Sequence, residues 1–265
     1  MLMPAVAFFN GTNGTSLHAA NDLKPHAGAV CKLHKSSLVM IASDVKDGLH
    51  WSYVTTIVSA SALPATKEGP NEVAMMFLEE AGPRGTLVVI FRSDELHFYR
   101  ADSTNHGRTW STPFMLHTRS NDPSTPPMGA VQPVLASLHV SDQPGQMVRV
   151  LKGGRPGLFV WSSVDLHSRN WTESNIGAIH NDLVTSTNYK FAPEFVAGKS
   201  GHQPQANSLQ NHASNMVQLD SSSFLLYYDR SWWSRIPPAN QPDMLFSMVV
   251  RLQKCSNAND GLDRS

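Results

Sequence analysis

The chain has very little cysteine for its 265 residues. Cys31 and Cys255 are the only two; they lie far apart in sequence, and two cysteines are too few for a disulfide scaffold or a zinc site by themselves. Net charge is also absent: Lys plus Arg and Asp plus Glu both number 21. That balance offers no electrostatic pull towards nucleic acid or an anionic membrane. No apolar run approaches the ~18 residues of a membrane span. The start, MLMPAVAFFNG, lacks the basic segment of a signal peptide, so a secreted or lysosomal route is open only if the natural N-terminus lies further upstream. The twelve His residues contain no H-E-x-x-H or other tight ligand spacing, which implies structural histidines and no resident metal or cofactor. Three N-x-S/T triplets, at Asn10, Asn13 and Asn170, are too common by chance to decide a compartment. Sustained 3.6-residue periodicity is missing as well; Asn71 to Glu80 (NEVAMMFLEE) is the one short stretch that could be helical, and it reads equally well as a strand.

What is plentiful is turn chemistry, with 17 Gly and 17 Pro, as expected of many short strands. The most informative turn is Ser103-Thr104-Asn105-His106-Gly107-Arg108-Thr109-Trp110. Asn opens a turn by bonding its own backbone a few residues on, and Gly supplies a positive φ. A β-branched Thr restarts extended chain, and the Trp ring drops onto the neighbouring layer. The preceding TLVVIFRSDELHFY, Thr86 to Tyr99, reads as two strands around a polar turn.

This organisation repeats. Ser37 to Ala42 leads into SDVKDGLHW ending at Trp51; Leu87 to Phe91 leads to Trp110; Met147 to Val150 and Leu158 to Trp161 lead into SVDLHSRNW ending at Trp171. A fourth unit combines Ser223 to Tyr228 with Met244 to Leu252. The closing tryptophans are 110 − 51 = 59 and 171 − 110 = 61 residues apart. Units of this kind suit propeller blades stretched by long loops; a β-sandwich with Trp-bearing hairpins is the competing architecture.

The Ser103–Trp110 stretch fits S-x-D-x-G-x-T-W with Asn105 in place of Asp, and so resembles the Asp box of the sialidase superfamily. The resemblance implies an all-β fold, a β-propeller with six blades in that family, of which about four C-terminal blades are present here. It divides the chain into an irregular segment or blade remnant at 1–34, propeller blades at 35–252 and a tail at 253–265. Ser103, Asn105, Gly107, Thr109 and Trp110 then have a structural role at a hairpin tip. The family's activity is retaining exo-sialidase chemistry on terminal sialic acid of glycoconjugates. It uses three arginines that grip the substrate carboxylate, a tyrosine nucleophile activated by a glutamate, and an aspartate acid/base.

Carried over residue by residue, Glu72 matches the activating glutamate that opens a blade. Arg92 follows it by 92 − 72 = 20 residues and matches one arginine; Arg155, in Gly153-Gly154-Arg155-Pro156-Gly157, matches another. These three are expected to converge on one end of the propeller axis, with the Trp-bearing turns away from it. The pattern also breaks. Ala213, beside His212, occupies the tyrosine position; Tyr189, Tyr227 and Tyr228 are the remaining phenols of interest, the last two within strand FLLYYD. Upstream of Ser43 there is no arginine, and the one aspartate is Asp22. The expectation is a sialidase-like glycoside hydrolase that is partial or catalytically impaired, with a sialylated or other carboxylate-bearing sugar as partner. The alternative is a non-catalytic glycan-binding or scaffold propeller.

Overall fold

A computed structural model describes residues 2–8, 36–43, 51–63, 66, 69–93, 97–119, 122–125, 127–129, 132–140, 143–153, 157–191, 196, 215–230 and 244–252. Both cysteines, Arg155, His212 and Ala213 lie outside these residues. The described chain is dominated by four antiparallel sheets, each built from strands consecutive in sequence. The first contains β1 (Leu2–Phe8), β2 (Ser36–Ser43) and β3 (Trp51–Val58). The second contains β4 (Asn71–Leu78), β5 (Thr86–Arg92), β6 (Phe98–Ser103) and β7 (Phe114–Met115). β8 (Val134–Val140), β9 (Gln143–Gly153), β10 (Phe159–Ser163) and β11 (Thr172–Asn175) make the third. The fourth is β12 (Asn215–Gln218), β13 (Ser223–Arg230) and β14 (Met244–Arg251).

The first strands of successive sheets touch: β1 lies against β4, β4 against β8, and β8 against β12. Meandering sheets side by side, with their first strands innermost, are the arrangement of propeller-like folds. The segment Asn71–Leu78 is therefore a strand, not a helix.

Sandwiching between neighbours explains the residue patterns. Strand β5 is buried along Thr86 to Phe91, on both faces. Val89 and Phe91 pack with Leu38, Met40 and Tyr99 between the first and second sheets. Val88 and Ile90 point the other way, into a core with Leu151, Phe159, Trp161 and Trp171 of the third sheet. A strand covered on both sides reads as a continuous apolar run, whereas one with a solvated face alternates. Strand β14 alternates in burial but not in residue type, since the apolar Leu245 and Val249 fall on its exposed face. Between the third and fourth sheets, Val148, Val150 and Val160 meet Phe224, Leu226 and Tyr228.

One helix, α1 (Ile176–Leu183), was not anticipated from the sequence. Asn175 caps it, its Oδ1 accepting from the Ala178 N–H at 2.9 Å. The helix carries the buried His180, whose Nδ1 meets the Tyr228 hydroxyl at 2.9 Å and whose Nε2 lies 2.9 Å from the Tyr189 carbonyl. No helix among the described residues is long and apolar enough to cross a membrane.

Candidate functional site

Glu72 is the irregular residue of the second sheet. Asn71 pairs with Arg92 and Val73 with Phe91, so Glu72 is the extra residue of a β-bulge. Its φ is +40°, a left-handed conformation that disfavours side chains with a Cβ. A bulge re-aims the side chain it carries. Here it sets Glu72 Oε2 2.5 Å from Arg92 Nε, an ion pair across the β4–β5 ladder. The Arg92 N–H itself is not directed at that oxygen, so charge rather than a well-formed hydrogen bond holds the contact. Arg92 is largely buried, while the Glu72 side chain is 40% exposed, leaving the carboxylate open to solvent or a ligand.

Two further charged groups belong to this end of the fold. Lys152, near the end of β9, is fully buried. Burial pushes its ammonium down to about 8, against the opposing pull of the Asp229 and Glu72 carboxylates. Charges from the second, third and fourth sheets thus sense one another across Glu72, Lys152 and Asp229. Sequence reasoning passed over both Lys152 and Asp229. The signal for Lys152 was a cation within a strand, directly before the Gly153-Gly154 pair, where a solvated lysine has no reason to sit.

Glu72 and Arg92 are brought together as a pair, while Arg155 lies outside the described residues. Of the phenols, Tyr228 is buried and bonded to His180, and its burial pushes the hydroxyl up to about 12. Tyr189 and Tyr227 are exposed. The ion pair of Glu72 is with Arg92, and the Tyr228 hydroxyl is engaged by His180. The arrangement can recognise charge and can accept a proton at Glu72. Glu80, itself exposed, accepts a 2.7 Å hydrogen bond from Arg149 Nη2 and ties β9 to the second sheet.

The Ser103–Trp110 turn lies at the other end of the second sheet, since Leu87 pairs with Ser103 while Arg92 pairs with Phe98. Ser103 Oγ accepts from Gly107 N at 2.9 Å, and Asn105 Oδ1 accepts from Thr109 N at 2.9 Å. Asn105 Nδ2 donates to Thr109 Oγ1 at 2.8 Å, a bond that aspartate could not make. Gly107 has φ +81°, and Trp110 Nε1 donates to its carbonyl at 3.1 Å. The turn after β10 has a related network, with Asp165 accepting from the N–H groups of His167, Arg169 and Asn170. There Ser168, at φ +50°, takes the left-handed position.

No protein-family model and no curated protein sequence matches the chain. Several solved structures superpose on it. A protein of unknown function from Dyadobacter fermentans is 15% identical with a TM-score of 0.45, over 83% of this chain and 46% of its own. Trypanosoma rangeli sialidase in complex with sialic acid is 12% identical with a TM-score of 0.44, over 82% of this chain and 27% of its own. A GH62 hydrolase in complex with xylotriose gives 12% identity and a TM-score of 0.40, over 82% and 67%. The chain thus spans less than half the length of the first two.

Proposed function

We propose that this chain is part of a sialidase-like propeller, and that its Glu72–Arg92 end receives the carboxylate of a terminal sialic acid. The observation that carries this reading is Glu72 itself. A non-glycine residue at φ +40° on a bulge, with its carboxylate against an arginine, is strain of the kind that persists where it serves a site. The buried Lys152 of the next sheet adds a positive charge that Asp229 of the fourth sheet offsets, so the guanidinium of Arg92 is the group that would meet an incoming carboxylate. Arg92 presents a planar guanidinium suited to a two-point contact once Glu72 yields to the ligand. In this reading Arg155 supplies a second guanidinium, and the Ser103–Trp110 turn is an Asp box with a structural role. The blades run over 35–252.

Hydrolysis by this chain alone is not expected. The family's nucleophile position holds Ala213, and Tyr228 is committed to His180. With Ala213 at that position, the covalent route through a phenol activated by Glu72 is not open in this reading. The test measures sialic acid binding and turnover of a fluorogenic sialoside by the purified chain and its Arg92→Ala variant. Binding that drops at least tenfold in the variant, with turnover at background in both, is the expected result. Turnover above that of the variant would restore the enzyme reading, and binding indifferent to Arg92 would remove the site.

A further inference from the structure

At the opposite end of the second sheet lies a cleft of about 600 Å³ between the turn after β4, the Ser103–Trp110 turn and the turn after β10. Strand β5 runs from Thr86, which lines this cleft, to Arg92. Six residues of extended chain separate the two ends by about 20 Å. The cleft is therefore distinct from the Glu72–Arg92 end, and its chemistry is independent of whatever that end binds.

Its charged groups are unequally satisfied. Arg100, 1% exposed, donates from Nε to Asp102 Oδ1 at 2.7 Å and from Nη2 to Oδ2 at 3.2 Å. Its Nη1 donates to the Ser168 carbonyl at 2.6 Å. That guanidinium is used up as a staple between the second and third sheets, and it neutralises Asp102. Arg169 is left over: 41% exposed, its Nη2 is 3.5 Å from an Asp102 oxygen already paired with Arg100. Arg100, Arg169 and Asp102 together sum to +1, and the surplus charge sits on Arg169.

The hydroxyls point to the same kind of ligand. Ser111 Oγ accepts from the Asp102 N–H at 3.0 Å, and Thr109 Oγ1 accepts from Asn105 Nδ2 at 2.8 Å. Each therefore has its proton left to donate. Trp110 forms an apolar wall whose orientation is fixed by its bond to the Gly107 carbonyl. Free donors, one surplus guanidinium and an aromatic wall suit an acceptor-rich ring bearing one planar anion. The volume falls within the ~300–1,000 Å³ of small-ligand sites.

We propose that this cleft is a saccharide-binding site for a sugar unit carrying a carboxylate, held by Arg169, Thr109 and Ser111 against Trp110. The test uses saturation-transfer NMR on the full chain with glucuronic acid, glucose and glucose 6-sulfate, for wild type and for the Arg169→Ala and Ser111→Ala variants, each checked for folding by circular dichroism. Glucuronic acid is expected to bind. Arg169→Ala should weaken it at least tenfold, and Ser111→Ala several-fold. Ser111→Ala carries the test by itself if Arg169→Ala does not fold. Four outcomes overturn the proposal: no glucuronic acid binding at millimolar concentration, equal binding of glucose, tighter binding of the sulfate ester, or binding that survives both cleft variants.

Discussion

Glu72 allows the cost of its backbone conformation to be separated from the value of its ion pair. Glu72→Ala and Glu72→Gly both delete the carboxylate, so the loss of the contact with Arg92 is common to the two. With Glu72 40% exposed, that loss is about 0–1 kcal/mol, and it cancels in their difference. What remains is the left-handed φ of +40°. Any residue with a Cβ is disfavoured there by about 1–2 kcal/mol, and glycine is not. Against this, glycine in a strand loses about 0.5–1 kcal/mol relative to alanine through unfolded-state entropy. The net expectation is Glu72→Gly more stable than Glu72→Ala by about 0.75 kcal/mol, the middle of a ~0–1.5 kcal/mol range and the reverse of the usual order in strands. For a chain of this size that is a difference in Tm of about 2 °C. Urea denaturation at matched m-values measures it directly. If Glu72→Ala proves equal or more stable, the bulge is not strained, and the conformation cannot be read as held in place for a site.

Particular contacts elsewhere set the other expectations. Trp171 is nearly fully buried between the second and third sheets, whereas Trp110 is half-buried, so Trp171→Ala should cost about 3–5 kcal/mol and Trp110→Ala distinctly less, read from urea midpoints. Asp220 is held down to about 2 by the Ser223 hydroxyl, then by Ser222 N–H and Oγ; its turn should be intact above the ordinary value of 3.8 and loosen as pH falls towards 2, followed through the Ser222 amide by NMR and abolished in Asp220→Asn. Lys152 is lowered from 10.5 to about 8, so the unfolded chain holds more protons between those values; stability should rise with pH across that window, and Lys152→Met should flatten the rise in pH-dependent melts. Tyr228, raised from 10.0 to about 12, acts with the opposite sign: it stabilises below 10 and loses that contribution as pH climbs towards 12, which Tyr228→Phe should remove from the same melts.

Local chemistry alone was enough to read several elements. The run TLVVIFR reads as a strand, and β5 is one; the structure adds that neighbouring sheets dry both sides of it. The Ser103–Trp110 turn was equally legible, since its bonds join residues no more than five apart. Strand β8 was overlooked although Val134, Ala136, Leu138 and Val140 show a period of two; its signal is brief and follows a long loop. Helix α1 escaped because eight residues give too few turns for periodicity to stand out.

The candidate sites divide along the same line. The twenty-residue spacing of Glu72 and Arg92 placed them in adjacent strands, and antiparallel pairing of β4 with β5 brings them together. The bulge that aims Glu72 is a matter of register, which no single residue announces. Only the stacking of sheets brought Lys152 near Glu72 and Asp229, joined Arg149 to Glu80, and set Arg100 against the Ser168 carbonyl, 68 residues away. Sequence determined where the chain turns and that TLVVIFR is a strand. Charges buried between sheets are decided by tertiary packing, because a lone lysine or arginine in a strand looks the same in sequence whether its partner is water or a carboxylate from another sheet.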